Sequence, residues 1–246
     1  MGRIKGERVN INANNVSAFF SNRVKKDLPY RYNYTNYQDA NPDLVILRDK
    51  KEKEKIVPLL EVMDGYSVLD IGCGVGRWGD FFADKKNCNY VGIDYCEEIL
   101  EIARKHFAGK NNISFQHASF QNVREVLIKA NSPALYDIVI INGVMMYIND
   151  DDIPCCLRAV KELIRPGGKV YVKESVGKET RLTLSDIYSD ELTSNYSAIY
   201  RSIYEYNKLW EKYWSDFVIY QHGDLWDENV QNRSETATYY WLFNKN

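Results

Sequence analysis

Ten residues, Ser67-Val68-Leu69-Asp70-Ile71-Gly72-Cys73-Gly74-Val75-Gly76, constrain the fold of this chain more than any other stretch. They read as a short buried strand that runs straight into a turn holding three glycines in five positions. Glycine loses the most backbone freedom on folding, so such a cluster belongs where a side chain would obstruct a turn or a ligand. A strand feeding a glycine-rich turn and then a helix suits a nucleotide-like group, because the first backbone N–H groups of a helix attract anions and polar ligands.

The residues around this turn repeat its rhythm. Asn89–Asp94 is an apolar run closing on an acid, Ile113, Phe115 and His117 alternate as a third strand, and Tyr136–Asn142 is almost wholly apolar and β-branched. The last pattern belongs to a parallel strand buried on both faces. Between these strands, Ile99, Ala103 and Phe107 mark one face of a helix, Val123 to Ala130 forms a weaker one, and Asp150 to Ile164 is a third, with Pro154 near its start. Arg165-Pro166-Gly167-Gly168 stops that helix, and Lys169–Glu174 is the next strand. The alternation predicts an α/β fold, a doubly wound, mainly parallel sheet with helices on both faces and ligands at the carboxyl ends of its strands. Two later runs, Phe217–His222 and Ala237–Phe243, predict an antiparallel C-terminal edge and bring the expected strand count to seven. One domain over 1–246 is expected, with residues 1–50 as an N-terminal cap and 177–214 as an irregular insertion. Within the insertion, Tyr196, Tyr200 and Tyr204 are expected on one helix face. The charged run Arg48–Lys55 reads as a solvated helix face.

Charge and cysteine content narrow the partners. Lys and Arg number 32 against 34 Asp and Glu, for a formal charge of −2, so no global field draws the chain to nucleic acid or anionic lipid. Five cysteines, an odd number without a CxxC pair, argue for a reduced, cytoplasmic protein. No apolar run reaches the length needed to span a bilayer, and no metal-ligand spacing stands out.

Spacing then separates the nucleotide-binding families. The dinucleotide fingerprint GxGxxG needs a third glycine where this chain carries Arg77. Instead, Asp70 ahead of Gly72, Gly74 and Gly76 resembles the class I S-adenosylmethionine-dependent methyltransferases. Asp94, 20 residues after Gly74, the loop Asn142–Tyr147 and the sequence Leu163–Gly168 match further marks of that family. The resemblance implies a Rossmann-like methyltransferase fold and S-adenosylmethionine as cofactor. It places Asp70, Gly72, Cys73, Gly74, Gly76, Asp94, Tyr95, Ser119, Phe120, Asn142 and Gly143 at the cofactor, with Asp94 on the ribose. Ser119-Phe120 departs from the acid-apolar pair usual at the adenine. Structural roles stand beside these: Asp70 bonded to its own turn, Asp94 capping the next helix, Met145 and Met146 as core filler.

Methyl transfer needs alignment and exclusion of water rather than a metal or a covalent residue. His222 and Glu174 are the candidates for a general base. Tyr147, Arg181, Tyr196, Tyr200, Arg201 and Tyr204 are the candidates for holding the acceptor, since guanidinium groups and phenols suit a phosphate or carboxylate. The segment Leu182–Ser202 is also similar to methyltransferases of bacterial capsule and surface-polysaccharide gene clusters, which implies a small, anionic, sugar-, nucleotide- or phosphoramidate-type acceptor. The alternatives are methylation of a protein or tRNA and a non-catalytic cofactor-binding subunit. A monomer or homodimer is expected.

Overall fold

The structure is a computed structural model and describes residues 2–85, 87–227, 230–231 and 233–246. In chain order the strands are β1 (Gly2–Lys5), β2 (Ser67–Ile71), β3 (Asn89–Asp94), β4 (Ile113–His117), β5 (Tyr136–Asn142), β6 (Ile164–Gly177), β7 (Leu182–Ser189), β8 (Ser194–Tyr200), β9 (Phe217–Asp224) and β10 (Thr236–Lys245). The helices are α1 (Ala13–Arg23), α2 (Asp43–Leu60), α3 (Gly79–Phe82), α4 (Glu97–His106), α5 (Val123–Lys129), α6 (Ile153–Leu163) and α7 (Ile203–Tyr213).

Seven strands form one sheet in the order β4-β3-β2-β5-β6-β10-β9. From β4 to β6 every pairing is parallel, and β10 runs antiparallel to both β6 and β9. The expected antiparallel finish is therefore β10, with β9 outside it at the edge. Strand β5 sits at the centre, and its Ile138, Val139, Ile140 and Ile141 are all sealed from solvent. Their alternating sides feed two cores. On one face Val139 and Ile141 join Leu157 and Val160 of α6 and Trp210 of α7. On the other, Ile138 and Ile140 join Ile56 of α2, Trp78 and Phe82. The fold is thus the doubly wound sheet that the strand pattern predicts.

Two expectations change. Residues 177–214 are regular rather than irregular: β7 pairs with β8 on one side and β1 on the other in a separate three-stranded antiparallel sheet. Tyr196 and Tyr200 lie on β8, not on a helix, and Tyr204 falls on α7. A spacing of four satisfies the strand period of two as well as the helical 3.6. Pairing of Tyr196 with Ile187 and of Ala198 with Leu184 decides for the strand. The charged run is not a uniform solvated face either, because Glu52 is only 1% exposed and Arg48, Asp49 and Lys53 are partly covered.

Helix α7 shows how sequence sets position. Ser202 and Glu205 form a reciprocal capping box that fixes its start. Its last turns then drive Trp210 and Trp214 into the core, stacked at 4.9 Å, with Trp214 stacked in turn on Phe217 at 5.0 Å. The Trp214 indole N–H donates to the Leu157 carbonyl at 2.9 Å. Trp214→Ala should therefore cost about 3–5 kcal/mol of stability, as other buried tryptophan truncations do, and urea unfolding of the two proteins measures it.

Candidate active site

The glycine turn leaves β2 with Gly72, Gly74 and Gly76 all at positive φ, at +71°, +55° and +76°. The N–H groups of Gly72 and Cys73 donate to the Ile93 carbonyl at 2.8 and 2.9 Å, and the Gly74 N–H donates to Asp94 Oδ2 at 2.9 Å. The turn is thus tied to the end of β3. Asp94 Oδ1 also accepts from Cys96 N–H at 3.0 Å, just ahead of α4, so its carboxylate is held wholly by backbone donors. Burial raises the Asp94 carboxyl, and these N–H bonds oppose the rise. Asp70 faces inward and accepts from the Tyr90 hydroxyl at 2.6 Å rather than from the turn it precedes.

Asp70, Gly72, Cys73, Gly74, Gly76, Asp94, Tyr95, Ser119, Asn142 and Gly143 all lie along the carboxyl ends of the adjacent strands β4, β3, β2 and β5. Cys73 is buried against the turn, its thiol pointing at the Gly74 carbonyl. Ser119 Oγ bonds Asn122 at 3.0 Å, and Phe120 is packed into the core with Val123 and Leu127. Two buried polar atoms in this row lack a hydrogen-bond partner among the described residues, the Tyr95 hydroxyl and Asn142 Oδ1. Above Gly143 a side chain would meet open space. A buried donor or acceptor left without a partner is costly, so the row fits a polar ligand reaching from Asp94 to Asn142.

The N-terminal segment covers the turn. Arg31 donates to the Val75 carbonyl and to Asp80, which also takes the Tyr32 hydroxyl. Thr35 lies so close to Gly74 that a Cβ there would meet its Cγ2 at 2.6 Å. Beneath it Arg23, buried, holds Asp39 and the carbonyls of Asn33 and Tyr34.

Beside this row, at the end of β5, a cavity of about 580 Å³ separates the strand ends from the three-stranded sheet. Tyr37, Tyr147, Tyr196 and Tyr200 line one side, and Glu52, Arg77, Asn142, Lys173 and Glu174 line another. Tyr147 links Tyr37 at 3.3 Å and Tyr196 at 2.8 Å through their hydroxyls. Burial raises all three phenols well above their ordinary range, so they are neutral hydrogen-bonding groups. Glu52 is a hub: Oε1 accepts from Arg77 (3.0 Å), Asn142 (3.2 Å) and Tyr171 (2.9 Å), and Oε2 from Lys173 (2.8 Å). Arg77 also pairs with Asp49 at 2.7 Å. Sequence reasoning missed this hub; the available signal was Arg77, a charged residue at the mouth of a buried turn, which requires a partner.

Several expected acceptor and base residues are not brought to the cavity. Arg181 is buried between Asp150 (2.7 Å) and Glu205 (2.9 Å), and Arg201, 1% exposed, holds Asp150 and the carbonyls of Met145 and Ile148. Their guanidinium groups face internal partners rather than the cavity. Tyr204 is 70% exposed on α7. His222 is exposed on β9, bonded to the Tyr239 hydroxyl at 2.7 Å, and lines a separate groove beside Trp210 and Trp241. Glu174 does reach the cavity, but its carboxylate accepts the backbone N–H groups of Val144, Met145 and Met146 at 3.0, 2.9 and 3.2 Å. Those donors occupy the lone pairs a base would use.

The comparisons with known proteins agree with this geometry. Residues 68–168 match the model of a methyltransferase domain family. A phosphoethanolamine N-methyltransferase of Triticum aestivum is 25% identical over 133 residues, 52% of this chain and 25% of that protein. A demethylmenaquinone methyltransferase of Bacillus licheniformis is 27% identical over 58% of this chain and 59% of its own length. This chain thus spans about a quarter of the plant relatives. Among solved structures, a phosphoethanolamine N-methyltransferase of Haemonchus contortus, with phosphoethanolamine and S-adenosylhomocysteine bound, superposes with a TM-score of 0.71 at 18% identity, covering 95% of this chain and 48% of that one. The magnesium protoporphyrin IX methyltransferase of Synechocystis gives 0.63 at 14% identity over 98% and 100%.

The buried acids predict opposite pH effects. Burial alone would raise the Glu52 carboxyl, but Arg77 and Lys173 outweigh it and hold the group at about 2, below its ordinary 4.5. Its stabilisation is complete above 4.5 and is lost as pH falls toward 2. Burial pushes Asp70 up to about 7 from 3.8, opposed by the Tyr90 hydroxyl. Its contribution is therefore greatest below 3.8 and declines as pH rises to 7. Asp70→Asn should flatten that decline in urea-unfolding midpoints measured from pH 4 to 8. Arg77→Met, which strands Glu52 and Asp49 beside fewer cations, should cost about 3–5 kcal/mol at pH 7 in the same measurement.

Taken together, the match of residues 68–168 to a methyltransferase domain family, the sheet order and the glycine turn tied to Asp94 support a class I S-adenosylmethionine-dependent methyltransferase.

Proposed function

We infer that the chain transfers the methyl group of S-adenosylmethionine to a small, polar acceptor carrying an anionic group. The observation that carries this reading is the cavity of about 580 Å³ that opens where Asn142 and Gly143 end the cofactor row. Its size lies within the range of small-molecule sites. Its tyrosine hydroxyls and basic side chains suit a phosphate or carboxylate, and the named substrate of several relatives, phosphoethanolamine, has that chemistry. A sugar-, nucleotide- or phosphoramidate-linked form of that acceptor is the extension the 182–202 segment would imply if its resemblance to surface-polysaccharide methyltransferases holds.

When bound, S-adenosylmethionine supplies a methyl carbon activated by its sulfonium. Asp94 and the Gly74 backbone would hold the ribose, and Tyr95 and Asn142 carry the orphan atoms for its other polar groups. The chain's own part is to orient and to exclude water. The segment from Arg31 to Tyr37 closes over the turn, and the neutral phenols of Tyr37, Tyr147 and Tyr196 fix the acceptor by hydrogen bonds. Lys173 and Arg77, both tied to Glu52 and Arg77 also to Asp49, form a fixed polar floor to the cavity.

Calorimetric titration with S-adenosylhomocysteine tests the cofactor. Binding is expected, and Asp94→Asn should weaken it by about tenfold or more through loss of a charge-assisted contact. Absence of binding to folded wild-type protein would contradict the reading.

A further inference from the structure

The turn that follows β5 hands the chain from the buried centre of the sheet to the cavity wall, with Met145, Met146 and Ile148 buried and the other residues of the turn partly covered. Every N–H from 143 to 148 is accounted for. Gly143 donates to the Lys173 carbonyl at 2.7 Å, and Tyr147 and Ile148 close short loops onto Val144 and Met145. The three between them, on Val144, Met145 and Met146, all go to the single carboxylate of Glu174. From the opposite side the Arg201 guanidinium donates to the carbonyls of Met145 and Ile148, at 2.7 Å each, and to Asp150 at 2.8 Å. A carboxylate holds the donors of the turn and a guanidinium holds its acceptors.

The next residue along is Tyr147, whose hydroxyl sits between those of Tyr37 and Tyr196. Glu174 belongs to the parallel sheet, whereas Arg201 follows β8 of the smaller one, so the turn is clamped between the two sheets. We propose that Glu174 and Arg201 act as positioning residues, fixing the 144–148 turn and through it the Tyr147 phenol against the acceptor. This deepens the methyl-transfer reading and rests on it for the acceptor's place beside Tyr147.

Both oxygens are in use, Oε1 by Val144 and Met145 and Oε2 by Met146, so a protonated carboxyl or a carboxamide turns a hydrogen toward at least one of these donors and weakens the clamp. The groups facing Glu174 are the turn amides, Arg201 and, from α7, Tyr206. Burial raises Glu174 to about 7, with the three N–H bonds and Arg201 opposing the rise. The clamp therefore closes as pH climbs through neutrality, and Tyr147 becomes ordered with it.

Hydrogen–deuterium exchange by mass spectrometry, corrected for intrinsic rates, tests this on the whole chain between pH 5.5 and 8.5. In the wild type, protection of residues 144–146 relative to the β5 amides should fall by about tenfold from pH 8 to pH 6. In Glu174→Gln it should be low throughout and independent of pH, while β5 keeps its protection. A 3-fluorotyrosine at position 147 should show a 19F resonance that changes with the same midpoint in the wild type and stays fixed in Glu174→Gln. Turn protection in Glu174→Gln equal to that of the wild type would overturn the proposal, as would loosening of turn and strand together. If Glu174→Gln does not fold, the wild-type pH series decides alone: a turn-specific transition supports the clamp and its absence overturns it. Parallel titration with S-adenosylhomocysteine keeps the two readings separate, because loss of binding to the wild type removes the methyl-transfer reading while the exchange data still judge the clamp.

Discussion

The burial of β5 on both faces is the constraint from which the rest follows. The turn that ends this strand is partly buried, with Met145, Met146 and Ile148 covered, and its peptide N–H groups find partners inside the protein. Glu174 accepts three N–H groups from its place on the neighbouring strand, and Arg201 supplies donors from the added sheet. A carboxylate and a guanidinium whose net charge would be expensive to bury alone are held because each completes the other's surroundings. The same turn closes one side of the cavity and presents Tyr147 to it.

The cofactor row depends on a second satisfied turn. Positive-φ glycines bring the backbone close to Asp94, and the N-terminal segment then lies across them through Arg31, Tyr32 and Thr35. Arg77, the residue that breaks the dinucleotide fingerprint, serves a different end. Its guanidinium turns into the protein, to Asp49 and Glu52, and through Glu52 it reaches Lys173 and Asn142. Glycine turn, cavity floor and helix α2 are thereby one connected unit.

Much of this was legible in the sequence where short-range pattern decides structure. The parallel core from Ser67 to Glu174 was readable because β-branched runs, glycine turns and amphipathic helices each carry a local signature. The 1, 7, 8 sheet was not, since its strands are joined by pairings between the N-terminus and residues beyond 180, and a four-residue tyrosine spacing fits strand and helix alike. Charged side chains misled most. Arg181, Arg201 and Glu174 looked free to meet a ligand, and Glu52 looked solvated, because sequence shows a charge without its partner. His222 has the chemistry of a base at a strand end, but β9 lies at the sheet edge and carries it away from the cavity.

The proposed activity is transfer of a methyl group to a small molecule in the cavity beside Asn142 and Tyr147. Incubation of the purified chain with methyl-labelled S-adenosylmethionine and a fractionated metabolite extract tests it most directly. Label appearing in a low-mass, anionic fraction, phosphoethanolamine included among the standards, is the predicted result. Label that stays entirely in the donor, or passes only to protein or tRNA, would contradict it.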